Sequence, residues 1–290
     1  MTMNSSPTGP RPTSAPPGPG GAHGPARSVL QRMDKGRIRH VVAVGSGKGG
    51  VGKSTATALL AAELRRRGLS VGVLDADVTG PSLPKLFGQS GPLVDKGEGI
   101  EPAVSRTGIP IISSQFLVED EQTPVIWRGP LVTRLITQFF GGVNWGALDY
   151  LLIDMPPGTS DVPLTVFQTI PIDGMVFVFT PQELAQLIVK KAMNMARDLH
   201  VPLLGIVENM TVIVCPHCGK DFLPFGPSRV DTVAQEYGVP VLARLPLDPK
   251  LAEEGDAGQI ERYEHATVRD FAEALIRSVD EANRPSTQTL

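Results

Sequence analysis

The sequence predicts an α/β fold of three layers, with a mainly parallel central sheet covered by helices on both faces. Three observations point to it. From His40 onward short β-branched runs alternate with helical stretches, the pattern of a parallel sheet covered by helices. The first run leads through a glycine-rich turn straight into a helix. No internal repeat and no second apolar core behind a linker breaks the alternation, so residues 37–290 read as one domain.

The elements follow in order. Val41 to Val44 is a buried strand, and Ser54 to Arg67 is a helix because Ala56, Leu59, Leu60 and Leu64 recur at helical spacing. Val71 to Leu74 is the next strand. Further strands are expected at 109–112, 150–153, 175–179, 203–207 and 241–245, with helices near 130–140, 161–169, 183–199, 228–237 and 263–283. Residues 1–36 are rich in Pro and Gly and nearly devoid of large apolar side chains. Such a segment cannot bury enough surface to offset its ordering entropy and reads as a disordered, mildly basic tail.

Composition excludes several classes. With 27 Lys and Arg against 30 Asp and Glu in 290 residues, the net charge is -3, which offers no general attraction to nucleic acid or to an anionic membrane. Apolar stretches such as Met175 to Phe179 fall far short of the roughly 18 to 20 residues that cross a bilayer. The start has no apolar segment behind a basic region, so no secretory signal is read and a cytoplasmic protein is expected. Cys215 and Cys218 are the only cysteines, so disulfides do not hold the fold.

Gly47-Lys48-Gly49-Gly50-Val51-Gly52-Lys53-Ser54 fits the phosphate-loop pattern of glycine, four residues, glycine, lysine, and serine or threonine, with a strand before and a helix after. Glycines let consecutive backbone N–H groups converge on one anion, and the helix N-terminus adds partial positive charge. Lys53 is expected to reach the β and γ phosphates, Ser54 to give its hydroxyl to Mg²⁺, and Thr55 to add a phosphate contact. An ordinary phosphate loop has no need of Lys48. GKGGVGKST resembles the deviant Walker A motif of the MinD, ParA and Mrp group of dimeric ATPases. The resemblance implies that Lys48 reaches nucleotide bound by a partner subunit, so that ATP lies at a dimer interface.

Ligands in open α/β sheets collect at the carboxyl ends of strands, where Asp75, Asp77 and Asp154 fall. Phosphoryl transfer needs a group that orients the attacking water and carboxylates for the water shell of Mg²⁺. Asp77 is assigned to the water and Asp154 to the magnesium shell, and Asp75 is open to either role. Asp154 to Asp161 reads as a switch loop in which Pro156 and Pro157 limit the conformations and Gly158 admits backbone to a γ phosphate. Asn209, beyond the strand at 203–207, is placed to read a base edge through its amide.

Cys215-Pro216-His217-Cys218 offers two thiolates at a spacing suited to a soft metal or an iron-sulfur cluster. One chain with two cysteines cannot build a four-cysteine site. The site is therefore completed by histidines, shared between two chains, or a redox dithiol, unless the pair is only structural. Of the histidines only His217 is near, which leaves a site bridging a dimer axis as the favoured reading.

Together these residues resemble the Mrp/ApbC group of P-loop ATPases, which carry and assemble iron-sulfur clusters. The resemblance runs from about Val41 to Ile260 and includes SGKGGVGKST (46–55), DADVTGPSLPKLFG (75–88), VIWRGPLV (125–132), WGALDYLLIDMPPGTSD (145–161), TPQELA (180–185), IVENM (206–210), CPHCGK (215–220) and PLDPKLAEEGD (246–256). It implies a P-loop NTPase fold, slow ATP hydrolysis, and a homodimer whose Cys215 and Cys218 hold a 4Fe-4S cluster at the interface. It also implies transfer to apo iron-sulfur proteins, cluster scaffold proteins as partners, and adenine at Asn209. The cysteine-rich N-terminal extension of eukaryotic cytosolic relatives and the small preceding domain of some bacterial members have no counterpart in this sequence. A MinD- or ParA-like spatial organiser and a zinc-bridged dimeric ATPase are the alternatives. The acidic residues Asp270, Glu273, Asp280 and Glu281 of the last helix speak against a membrane-binding organiser.

Overall fold

The computed structural model describes residues 33–95, 97, 99–118, 129–158, 161–182 and 187–284. The expected tail up to residue 32, Trp127 and Arg128, Thr159 and Ser160 of the expected switch loop, and the expected helix start at 183–186 lie outside the described residues.

In chain order the elements are β1 (Ile38–Gly45), α1 (Lys53–Arg66), β2 (Val71–Asp75), α2 (Leu83–Leu86), β3 (Val94–Asp95), β4 (Ile100–Glu101), β5 (Ala103–Val104), β6 (Pro110–Ile112), α3 (Gly129–Gly141), β7 (Leu148–Asp154), α4 (Asp161–Thr169), β8 (Gly174–Phe179), α5 (Leu187–Asp198), β9 (Leu203–Glu208), β10 (Ile213–Val214), β11 (Asp221–Phe222), α6 (Val230–Tyr237), β12 (Val241–Arg244), α7 (Pro249–Asp256) and α8 (Ala266–Ala282). Eight strands form one sheet in the order β12-β9-β8-β1-β7-β2-β6-β5, parallel except for the edge strand β5, which runs antiparallel to β6. The central stretches of the inner strands, such as Val41–Val44, Leu151–Ile153 and Met175–Phe179, are apolar because both faces are covered there. In β1, Val41 and Ala43 join the layer of α3, α4, α5 and α6, while the alternating Val42 and Val44 join the layer of α1 and α8. In α1, Ala56, Leu59, Leu60 and Leu64 all face that second layer, where α8 contributes Val268, Phe271, Leu275 and Val279.

Topology decides where the site lies. After β1 the chain builds the β7, β2, β6 side of the sheet and then crosses to β8, β9 and β12, so the crevice at the carboxyl ends opens beside β1. Register aligns those ends: Val44 and Asp75 both pair with Asp154, and Phe179 pairs with Glu208.

One expectation needs correction, and two elements were not anticipated. The folded part takes in residues counted in the tail, since the Met33 N–H donates to the Thr169 carbonyl at 2.9 Å and Lys35 is paired with Asp173. Composition cannot show a contact across that sequence distance. The loop expected for the cysteines is present, and it is the turn of a β-hairpin that was not anticipated, in which Ile213 pairs with Phe222 and Val214 with Asp221. Helix α7 was not anticipated, although Asp248 caps it by accepting from the Lys250 N–H at 2.9 Å and Pro249 occupies its first turn, a recognisable start signal.

Candidate functional site

The loop from Ser46 to Gly52 joins β1 to α1, whose first residue is Lys53. Gly52 is the N-cap, with a φ of 82° and no side-chain cap, so the first N–H groups of α1 stay open to an anion. A cavity of about 220 Å³ in front of them is lined by Lys48, Gly49, Gly50, Lys53, Ser54, Thr55, Asp77 and Pro157 among others. Gly47 and Val51 are buried behind it. Lys48 is exposed at its edge, and the Ser46 hydroxyl donates to the Lys48 carbonyl at 2.9 Å.

Lys53 is buried among carboxylates. Its Nζ lies 2.8 Å from Asp154 Oδ1 and 3.6 Å from Asp77 Oδ2. The Ser54 hydroxyl donates to Asp154 Oδ2 at 2.5 Å, and the Thr57 hydroxyl donates to Asp154 Oδ1 at 3.1 Å. Four of the expected residues, Lys53, Ser54, Asp77 and Asp154, thus form one cluster. Asp154 has no exposed surface, and the close pairing of a hydroxyl with a carboxylate offers the hard oxygen donors that suit Mg²⁺.

Asp75 lies beneath. Its Oδ1 accepts the Asp77 N–H at 3.2 Å and its Oδ2 accepts the Ser113 hydroxyl at 3.0 Å. Burial, then the neighbouring Asp154 carboxylate, push its pKa up to about 8 against the pull of Lys53 and Ser113. Burial also raises the pKa of Asp77, with Lys53 opposing it. Thr57 and Ser113 escaped the sequence reading, since neither belongs to a motif. The switch loop leans on the phosphate loop: the Met155 N–H donates to Val44 at 2.9 Å and the Gly158 N–H to Ser46 at 3.0 Å.

A second cavity of about 240 Å³ adjoins the first through Gly52 and Thr55 and is lined by Asn209, Met210, Pro246, Leu247, Asp248 and Leu251 among others. Its walls are largely apolar side chains, as a base plane requires. Asn209 reaches it from the end of β9, where its amide donates to the Val51 carbonyl at 2.9 Å. Residues 246–248 and helix α7 were missed as site elements, although the Asp248-Pro249 start signal marked them.

Cys215 and Cys218 sit apart on the β10–β11 hairpin, Cys215 half-buried and Cys218 exposed. The Cys215 N–H donates to Lys220 and the Gly219 N–H donates to Cys215, both at 2.9 Å, which closes a tight turn around the pair. Backbone N–H groups of Cys218 and His217 aimed at the Cys215 sulfur hold its thiol below the ordinary value, as a thiolate ligand requires. Among the described residues no group of three or more His, Cys, Asp and Glu is placed to hold a metal, so the pair has two donors and lacks a third. No helix among the described residues is long and apolar enough to cross a membrane.

The chain is similar to several known proteins. A protein of Methanocaldococcus jannaschii named iron-sulfur cluster carrier protein is 49% identical over 229 residues, covering 78% of this chain and 79% of its own length. One of the same name from Aquifex aeolicus is 46% identical over 77% of this chain, although the match spans only 61% of that protein. A solved nucleotide-binding protein from Archaeoglobus fulgidus, in complex with ADP and with cobalt found in it, superimposes with a TM-score of 0.71 at 45% identity over 79% of this chain and 90% of its own. The MinC:MinD complex of Aquifex aeolicus, at 17% identity, 82% and 96% coverage and a TM-score of 0.58, shares the fold. The family model described as ParA, NUBPL iron-transfer P-loop NTPase, matches residues 37–280, and the chain with its phosphate loop, acidic strand ends and cysteine hairpin belongs to that family.

Proposed function

We propose that the chain binds ATP with Mg²⁺, hydrolyses it slowly, and carries a 4Fe-4S cluster between two copies of itself for transfer to apo iron-sulfur proteins in the cytoplasm, with cluster scaffold proteins as further partners. One observation carries the reading. Strand β9 closes the phosphate loop through Asn209 and continues into the hairpin that presents Cys215 and Cys218, so nucleotide and metal chemistry share one scaffold.

In this reading the backbone from Gly47 to Gly52 cradles the phosphates, Lys53 balances their charge, and Thr55 adds a contact. Ser54 and Asp154 hold Mg²⁺, which neutralises charge developing between the β and γ phosphates. Asp77 orients the attacking water, and Lys48, exposed at the cavity edge, extends toward nucleotide on the partner copy. Asn209 and the apolar wall of Pro246 and Leu247 receive the base. Two thiols per chain make half of a four-thiolate site. The carrier names of relatives up to 49% identical support the cargo, and the ADP in the Archaeoglobus structure supports the nucleotide.

Anaerobic reconstitution with iron and sulfide tests the reading. Iron and acid-labile sulfide are expected to approach roughly two of each per chain on a dimer, from four thiolates per cluster. Either Cys215→Ala or Cys218→Ala is expected to abolish loading and leave ATP binding intact. A loaded monomer would overturn the bridging site, and stoichiometric zinc with no visible chromophore would favour the zinc-bridged ATPase instead.

A further inference from the structure

In the reading above Asp77 orients the attacking water, yet it lies beyond the end of β2, where the ladder to β7 runs out. The Ala76 N–H still donates to the Asp154 carbonyl at 2.9 Å. The Asp77 N–H turns instead to a side chain, Asp75 Oδ1, at 3.2 Å. The Asp77 carboxylate accepts the hydroxyl of the exposed Thr79 at 3.1 Å and stands 3.6 Å from Lys53 Nζ. Parallel register then brings in a residue that no motif contains. Val73 pairs with Ile111 and Leu74 with Ile112, so one step further along β2 and β6 sets Asp75 beside Ser113. The Ser113 hydroxyl donates to Asp75 Oδ2 at 3.0 Å and accepts the Gln115 N–H at 3.3 Å. A hydroxyl has one proton, and here it is committed to the Asp75 carboxyl. Ser113, Asp75 and Asp77 are all buried.

We propose that Ser113, acting through Asp75, is a positioning residue that holds the Asp77 carboxylate in place for the attacking water. The inference rests on the hydrolysis reading above and adds the residue that steadies its water-orienting group. Each oxygen of Asp75 has its own partner, Ser113 on one and the Asp77 N–H on the other, so the carboxyl is fixed between two hydrogen bonds of ordinary length. Lys53 attracts the same carboxyl. Freed from Ser113, Asp75 turns toward that charge and gives up the Asp77 N–H, and the backbone that carries Asp77 is left without its buried tie. Ser113 lines neither the phosphate cavity nor the base cavity, so it has no direct contact to offer the nucleotide. Its route to the reaction is the chain of bonds through Asp75.

The test uses the full chain with Ser113→Ala, assayed with ATP and Mg²⁺, and turnover is counted per nucleotide-binding site titrated with ADP. The expected result is a kcat lower by about tenfold to a hundredfold, as for a misplacement of about 1 Å, with KM and ADP affinity within about twofold of the parent. Affinity for ADP with aluminium fluoride and Mg²⁺, which mimics the phosphoryl group during transfer, is expected to fall in step with kcat. Ser113→Thr is expected to restore both, since position 113 has the extended backbone (φ -151°, ψ 152°) that a β-branched residue adopts. Loss of the Gln115 cap alone would lower the melting temperature or the number of binding sites and leave turnover per site at the parent value, and that outcome would overturn the proposal. A cycle with Asp75→Ala reads the route. Adding Ser113→Ala to Asp75→Ala is expected to cost nothing further, whereas a full second loss in the double variant would overturn action through Asp75. A parent chain without turnover sinks the hydrolysis reading and the proposal together. A hydrolysing parent matched per site by Ser113→Ala sinks the proposal alone.

Discussion

The side-chain amide of Asn209 donates to the backbone carbonyl of Val51 at 2.9 Å, joining residues 158 positions apart. Both are buried. The bond fastens the end of β9 to the middle of the phosphate loop, and it explains why position 52 admits no side chain. A Cβ there would lie 2.2 Å from the Asn209 amide nitrogen, on a backbone already at φ +82°.

Asn209→Ala leaves the Val51 carbonyl buried without its partner. The expected loss of stability is about 1–3 kcal/mol, read by denaturant unfolding of the nucleotide-free protein, together with weaker nucleotide binding by calorimetry. Unchanged values for both would separate Asn209 from the loop and from the base.

Lys53→Ala is expected to abolish hydrolysis and to weaken nucleotide binding strongly, because it removes the charge that faces the β and γ phosphates. It also leaves Asp154, Asp77 and Asp75 without the cation between them, at a cost of about 3 kcal/mol to the nucleotide-free fold. Protonation relieves carboxylate repulsion, so the loss should be larger at pH 8 than at pH 5. Parent-rate hydrolysis, or a loss of stability independent of pH, would contradict this account.

Lys48 is exposed, so Lys48→Ala should shift stability by less than about 0.5 kcal/mol. The variant is expected to bind ATP and to lose hydrolysis. Mixed with the Lys53→Ala chain it should regain measurable turnover, because the mixed dimer pairs an intact Lys53 with an intact Lys48 across the interface. No recovery on mixing, or normal turnover of a species that scatters light as a monomer, would rule out action in trans.

Glu208, at the end of β9, accepts the Ser228 hydroxyl at 2.8 and 2.7 Å and has no exposed surface. Burial raises its pKa above the ordinary 4.5. A raised carboxylate binds its proton more tightly in the folded chain, so its ionisation lowers stability as pH climbs from about 4.5 through the raised value. Glu208→Gln keeps an oxygen for Ser228 and cannot ionise. Its melting temperature relative to the parent is expected to rise between pH 4 and pH 7. A difference that stays flat across that range would show that folding leaves the Glu208 pKa unshifted.

Legibility followed sequence distance. All seven strands expected from β-branched runs are present, Val71 to Leu74 extending only to Asp75, because an apolar run of four or five residues carries its own signal. The β10–β11 pair and β5 were not legible, since strands of two residues have no period to read. The partners of the acidic residues were hidden for another reason. Ser113 reaches Asp75 across 38 positions and Thr57 reaches Asp154 across 97, and a lone Ser or Thr announces nothing by its type.

By itself the sequence determined the phosphate loop, its strand and its helix, because loop glycines, lysine and serine act through contiguous backbone whose geometry local spacing dictates. It also determined by counting that one chain provides only two thiols. The tertiary structure alone decided that Asp75 is pushed toward its neutral form, that Asn209 closes the loop, that Pro246, Leu247 and α7 wall the second cavity, and that the thiols share a hairpin with an exposed Phe222. Each of these depends on burial or on the approach of distant segments, and the distance that sets a desolvation penalty or a hydrogen bond exists only after the sheet has brought its strand ends together.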